Sequence, residues 1–158
     1  MFAMKKPALR TGYALAAACL IMASASGCSS GRLSPPDDRK PTVMVLKTTG
    51  YCNCGKCCNW KRRMFGLGSP VIASGPHKGR PKVVGRTASG ATAQDGTVAA
   101  DTTLLPMNTI MHIPGYGFGR VEDRGGAIKG KHVDLWFPTH REAKNWGVRT
   151  LQVKVWKP

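Results

Sequence analysis

Seven short runs rich in β-branched residues, each closed by turn formers, constrain this chain more than any other feature. They are TVMVLKTT from 42, KVVGRTA from 82, TVAA from 97, TIMHIP from 109, FGRVED from 118, KHVDLWF from 131 and RTLQVKVW from 149. Runs of that length, separated by glycine, proline and asparagine, read as strands of a mainly β fold, and their spacing predicts a small closed barrel. The 158 residues allow one compact core of that kind.

A single segment departs from the period-two rhythm. In THREAKNW, Thr139 and Glu142 have the spacing of a capping box and Gly147 stands where a helix would stop, which predicts one short helix packing Ala143 and Trp146 inward. From Trp60 to Val83 the chain carries Arg62, Arg63, several glycines and prolines and little periodicity, the pattern of a surface loop beside the mouth of a site.

The front of the chain is organised differently. Residues 1–27 combine Lys5, Lys6 and Arg10 with the apolar run GYALAAACLIMASAS and a small-residue end, the three parts of an export signal. ASGC at 25–28 resembles a bacterial lipobox, with Ala25 where leucine is usual, and makes Cys28 the candidate lipidated residue; a plain secretory cut near Ala25 is the alternative. Residues 28–41, SSGRLSPPDDRKP behind that cysteine, read as a flexible tether, leaving 42–158 as the folded domain.

Export would remove only three of 24 basic residues, against 8 acidic ones, so the domain stays strongly basic. Such a surface is drawn to anionic polymers, among them phospholipid and acidic cell-wall material. No nucleic-acid motif accompanies the charge, and nucleic acid is excluded as the working partner.

YCNCGKCC places Cys52, Cys54, Cys57 and Cys58 within seven residues. In an exported protein such density favours disulfides, with three possible pairings. Zinc is the lesser expectation, because structural sites draw their ligands from two separated pairs and four in so short a stretch would be cramped. No metal or other cofactor is therefore assigned.

The acids are few, and two of them frame one glycine-rich turn in VEDRGGAIKGKHVDLWF. Alternation sends Val133, Leu135 and Phe137 to one face and His132, Asp134 and Trp136 to the other. An aspartate beside an indole suits a sugar site, since the ring can stack on a pyranose while partial desolvation raises the carboxyl pKa. An ordinary polar strand face has the same pattern. Asp123 precedes glycines that permit a tight path bringing it toward Asp134, and Asp101, closing TVAAD, is a third candidate or a turn cap.

Taken in order, TASG at 87, VAAD at 98, LLPMNTIMHIPGYG at 104, VEDRGGAIKGKHVDLWF at 121 and THREAKNWGVRTLQVKVW at 139 resemble the 3D domain, named for three aspartates. That family is similar to the catalytic domain of the membrane-bound lytic transglycosylase A group. The resemblance implies a six-stranded double-psi β-barrel and cleavage of peptidoglycan glycan strands without a cofactor. It assigns the general acid/base to Asp134, its close partner to Asp123 and a shaping role to Asp101. Arg124 and His132 depart from residues common at those positions in the family. Trp136, His132, Lys129 and Arg124 are the candidate substrate contacts. The competing expectations are a wall-binding module without catalysis and an inverting hydrolase. The expected location is the cell envelope, with the membrane reached through a lipid on Cys28.

Overall fold

The computed structural model describes residues 33–36 and 38–158. The expected signal, Cys28 and the first part of the tether lie outside the described residues. No helix among the described residues is long and apolar enough to cross a membrane.

In chain order the elements are β1 (Thr42–Tyr51), α1 (Gly55–Cys58), β2 (Trp60–Arg62), β3 (Pro70–Ile72), β4 (Thr97–Ala100), β5 (Ile110–Ile113), β6 (Gly117–Asp123), β7 (His132–Trp136), α2 (His140–Trp146) and β8 (Arg149–Trp156). Six strands close into a barrel in the order β1-β7-β4-β6-β5-β8. Two pairings are parallel, β1 with β7 and β4 with β6; the other four are antiparallel. This interleaving is consistent with the double-psi arrangement, and the mainly β expectation holds.

Period-two alternation fills the barrel. Leu46, Val98, Val121, Val133, Leu135 and Val153 are all fully buried in one cluster, and burying each such side chain contributes about 1.5–3 kcal/mol. The alternate residues of β7, His132, Asp134 and Trp136, are only partly buried, which is where one of the acids stands.

The helix expected at 139–146 is α2, with both halves of its capping box formed: Glu142 N–H donates to Thr139 Oγ1 at 3.2 Å and Thr139 N–H to Glu142 Oε2 at 3.0 Å. Its buried residues are Ala143 and Trp146. Gly50 lets the helix lie on β1, because a Cβ there would meet the Ala143 carbonyl oxygen at 2.8 Å. The Trp146 indole N–H donates to Thr48 Oγ1 at 3.1 Å and ties the two elements together.

Three local expectations need correction. The run from Lys82 is not a strand: Gly85 turns the chain at φ +79, and Val83 is left 66% exposed with no partner strand. The loop from Trp60 instead folds partly on itself, with β2 pairing antiparallel to β3. A second helical segment, the single turn α1, forms within the cysteine stretch, so one helix was too few.

The last tether residues are held by the barrel. Arg39 donates from Nη1 to the Lys157 carbonyl at 2.6 Å and accepts from the Trp156 indole at 2.9 Å.

Candidate active site

Asp123 and Asp134 reach the same cleft through one small residue. Ala99 of β4 is in register with Asp134 of β7 on one side and with Asp123 of β6 on the other. Residues in register point to the same face of a sheet, so both carboxylates rise beside the Ala99 methyl. On the β6 side the register shifts between Val98 and Ala99: Val98 pairs with Val121, yet Ala99 pairs with Asp123. Such an irregularity re-aims a side chain. Here it gives Asp123 the outward position that Glu122 would otherwise hold.

Glu122 turns into the structure instead. It is buried, accepts from Thr97 Oγ1 at 2.9 Å and pairs with Arg120 at 2.6 Å.

The cleft has a volume of about 250 Å³, with Asp123, Asp134 and Ala99 in its wall beside Tyr51, Asn53, Cys58, Lys82, Arg86, Arg124, Gly125 and Ile128. Its three cations match anionic substituents on a substrate. Sequence reasoning found Arg124 but missed Lys82 and Arg86, which lie in the run first read as a strand and reach the cleft only through the path of the loop.

Asp134 is half-buried, and Thr49 Oγ1 donates to its Oδ1 at 2.6 Å. Burial pushes this carboxyl above its ordinary range; the Thr49 hydroxyl and His132 pull it down, and the charge of Asp123 adds a further upward push. The same Thr49 oxygen is 3.0 Å from His132 Nε2. Burial and the nearby Lys47 push that imidazole below its usual pKa while Asp134 pulls it back up, and His132 serves as a hydrogen-bonding neighbour of Thr49.

Asp123 is fixed by three donors. Arg124 N–H and Ala88 N–H reach Oδ1 at 2.8 and 3.0 Å, and the Tyr51 hydroxyl reaches Oδ2 at 3.2 Å. Burial, then the charge of Asp123, raises the Tyr51 phenol and keeps it a donor. Ala88 belongs to TASG, which gives that motif a purpose its composition did not disclose.

Asp101 does not line the cleft. It caps its own turn, accepting from Thr103 N–H and Oγ1 at 3.1 and 2.8 Å, and holds Gly130 N–H at 2.9 Å. The Gly130 bond first, then those from Thr103, bring its carboxyl down to about 2. Asp101 thereby pins the turn that leads into β7 and Asp134.

Of the expected substrate contacts, Arg124 alone lines the cleft. The Trp136 indole N–H is engaged by Asn53 Oδ1 at 2.9 Å, so Trp136 braces a wall residue rather than facing the cleft. His132 acts through Thr49, and Lys129 is exposed beside Asp101. The four cysteines are free thiols, so the expected stapling is not seen; Cys52, Cys54 and Cys57 surround His140.

Residues 96–157 match the 3D domain family model. That stretch, similar to the 3D domain, spans β4 to β8 and holds all three aspartates, whereas β1, with Thr49, Tyr51 and the cysteines, precedes it. The barrel is thus completed by a strand from outside the matched stretch.

Among curated relatives, the "Putative cell wall shaping protein YabE" of Bacillus subtilis is 27% identical over 137 residues, covering 84% of this chain and 27% of that protein. The "Cell wall-binding protein YocH" of the same organism is 41% identical over 58 residues, covering 37% of this chain and 20% of that protein. The chain therefore spans less than a third of either relative. A crystal structure of MltA from E. coli is 23% identical with a TM-score of 0.37, over 46% of this chain and 28% of that one.

Proposed function

We propose that this protein acts on peptidoglycan outside the cytoplasm as a lytic transglycosylase, cleaving the β-1,4 bond between N-acetylmuramic acid and N-acetylglucosamine. The observation that carries this reading is Asp134 itself: a half-buried carboxyl in an open cleft, raised toward a usable acid, with a second carboxylate across Ala99.

Protonated Asp134 gives its proton to the glycosidic oxygen as the bond to the muramic anomeric carbon breaks. The resulting carboxylate takes the proton of the muramic 6-hydroxyl, whose oxygen bonds to that carbon and leaves a 1,6-anhydro end. One group serves as acid and then base, with no water consumed. Asp123, held in place by its three donors, stabilises the oxocarbenium-like transition state. Lys82, Arg86 and Arg124 hold the lactyl or stem-peptide carboxylates.

The names of the two curated relatives, one wall-shaping and one wall-binding, support the cell wall as partner. They also support a second reading, a wall-binding module that cuts nothing. A lipid on Cys28 would place the domain at a membrane face of the envelope, and metabolic labelling with a fatty acid, lost in Cys28→Ala, tests that part.

Digestion of purified peptidoglycan separates the readings. The proposed activity releases muropeptides with anhydro ends; the binding module sediments with the wall and releases none, and an inverting hydrolase leaves reducing ends.

A further inference from the structure

The geometry points to a structural zinc site made by Cys52, Cys54, Cys57 and His140, which clamps the end of β1 to the start of α2. One ligand atom from each of these residues lies within 4.8 Å of all the others.

The individual distances fit a tetrahedron. His140 Nδ1 is 3.4 Å from Cys57 Sγ, 3.6 Å from Cys54 Sγ and 4.0 Å from Cys52 Sγ, and the sulfurs of Cys52 and Cys57 are 3.8 Å apart. Zinc bonds of about 2.3 Å to sulfur and about 2.0 Å to nitrogen, at tetrahedral angles, require edges of about 3.8 Å between sulfurs and about 3.6 Å from sulfur to nitrogen. Four of the six edges stand within about 0.4 Å of those separations, and the remaining two lie within 4.8 Å. Three thiolates with one imidazole, in tetrahedral array, select zinc over the hard oxygen-seeking cations.

Local structure explains how so short a stretch escapes crowding. Cys54 stands at the N-cap of α1 and Cys57 three residues on, a spacing that puts both on one face of a single turn. Cys52 follows β1 directly. The fourth cysteine takes no part: the Cys58 thiol donates to the Cys52 carbonyl at 3.2 Å and lines the aspartate cleft. His140, from the first turn of α2, supplies the distant ligand that the cysteine run lacks.

Four protein ligands leave no open coordination position, so the ion is structural rather than catalytic. Its effect on the cleft is indirect. Tyr51, adjoining Cys52, holds Asp123, and Asn53, between two ligands, holds the Trp136 indole. The site stands independently of the proposed peptidoglycan chemistry, since none of its ligands is given a role in that reaction, and only Cys57 among them borders the cleft.

The test uses the full chain purified aerobically without added reductant, so that disulfide formation competes. Elemental analysis is expected to give about one zinc per chain, with no mass gain on reduction of the denatured protein. Exchange for cobalt is expected to give thiolate-to-cobalt charge-transfer bands and the intense visible bands of a tetrahedral site. Cys57→Ser and His140→Ala should lose the metal, and Cys58→Ser should keep it. Should a ligand variant fail to fold, the wild-type metal count and cobalt spectrum decide alone. Metal-free protein, whether with free thiols or with a Cys52–Cys57 disulfide, overturns the site, as does zinc retained by both folded ligand variants.

Discussion

Thr49 of β1 donates its hydroxyl to Asp134 Oδ1 across the parallel β1–β7 pairing, at 2.6 Å and in direct register. The bond favours the ionised carboxyl and opposes the upward push of burial. Thr49→Val removes the donor at nearly constant volume and should move the Asp134 pKa further up. A hydrogen bond to a charged group contributes about 1.5–3 kcal/mol, so the alkaline limb of the activity profile should shift by roughly one pH unit or more toward higher pH. An unmoved limb in the pH dependence of muropeptide release would show that Thr49 does not set this acid.

Asp134→Asn should stabilise the fold while ending catalysis. The native carboxyl binds its proton more tightly than the unfolded one, so its ionisation destabilises the folded state as pH rises through the carboxylate range. Thermal unfolding of the variant and the wild type should converge at acidic pH, with the variant higher in Tm at pH 7. A lower Tm for the variant at pH 7 contradicts this balance.

Asp101 carries the opposite sign. Its pKa is depressed to about 2, so its contribution to stability is present above the ordinary carboxyl range and is lost as pH falls toward that value. Asp101→Ala should lower Tm at pH 7, and the difference should shrink as both proteins approach pH 2. It should also reduce activity without moving the pH profile, because it frees Gly130 N–H and loosens the turn ahead of Asp134.

Much of the barrel was legible because alternation survives wherever one strand face is buried, as Val133 and Leu135 against Asp134 show. The capped helix at Thr139 was equally legible, since its signals are local. The run at Lys82 failed because β-propensity without a partner strand is not a strand. In the site, the three aspartates were singled out through family resemblance, and the contacts of Asp101 match the turn cap named as its alternative, whereas the Asn53 bond that engages Trp136 was not legible. Lys82 and Arg86 were missed because only the path of the loop brings them to the cleft, and Thr49 and Ala88 because each acts through a hydrogen bond to an aspartate tens of positions away. His140 was missed for the same reason, its cysteine neighbours lying 83 to 88 residues earlier.

Arg120→Met should leave the buried Glu122 without its half-exposed cation and destabilise the barrel by about 1–3 kcal/mol, the cost of leaving a buried polar group short of a partner. Adding Glu122→Gln to that variant should restore much of the loss. Denaturant midpoints for the single and double variants check both statements; equal destabilisation in the two would show that the pair contributes little.

The central claim is that Asp134 works as acid and then base in a lytic cleavage. Mass spectrometry of products from purified peptidoglycan, digested in parallel by the wild-type protein and by Asp134→Asn, tests it most directly. The wild type should release muropeptides ending in 1,6-anhydromuramic acid, and the variant roughly 100- to 10,000-fold less. Products with reducing ends only, or equal release by the two proteins, would contradict it.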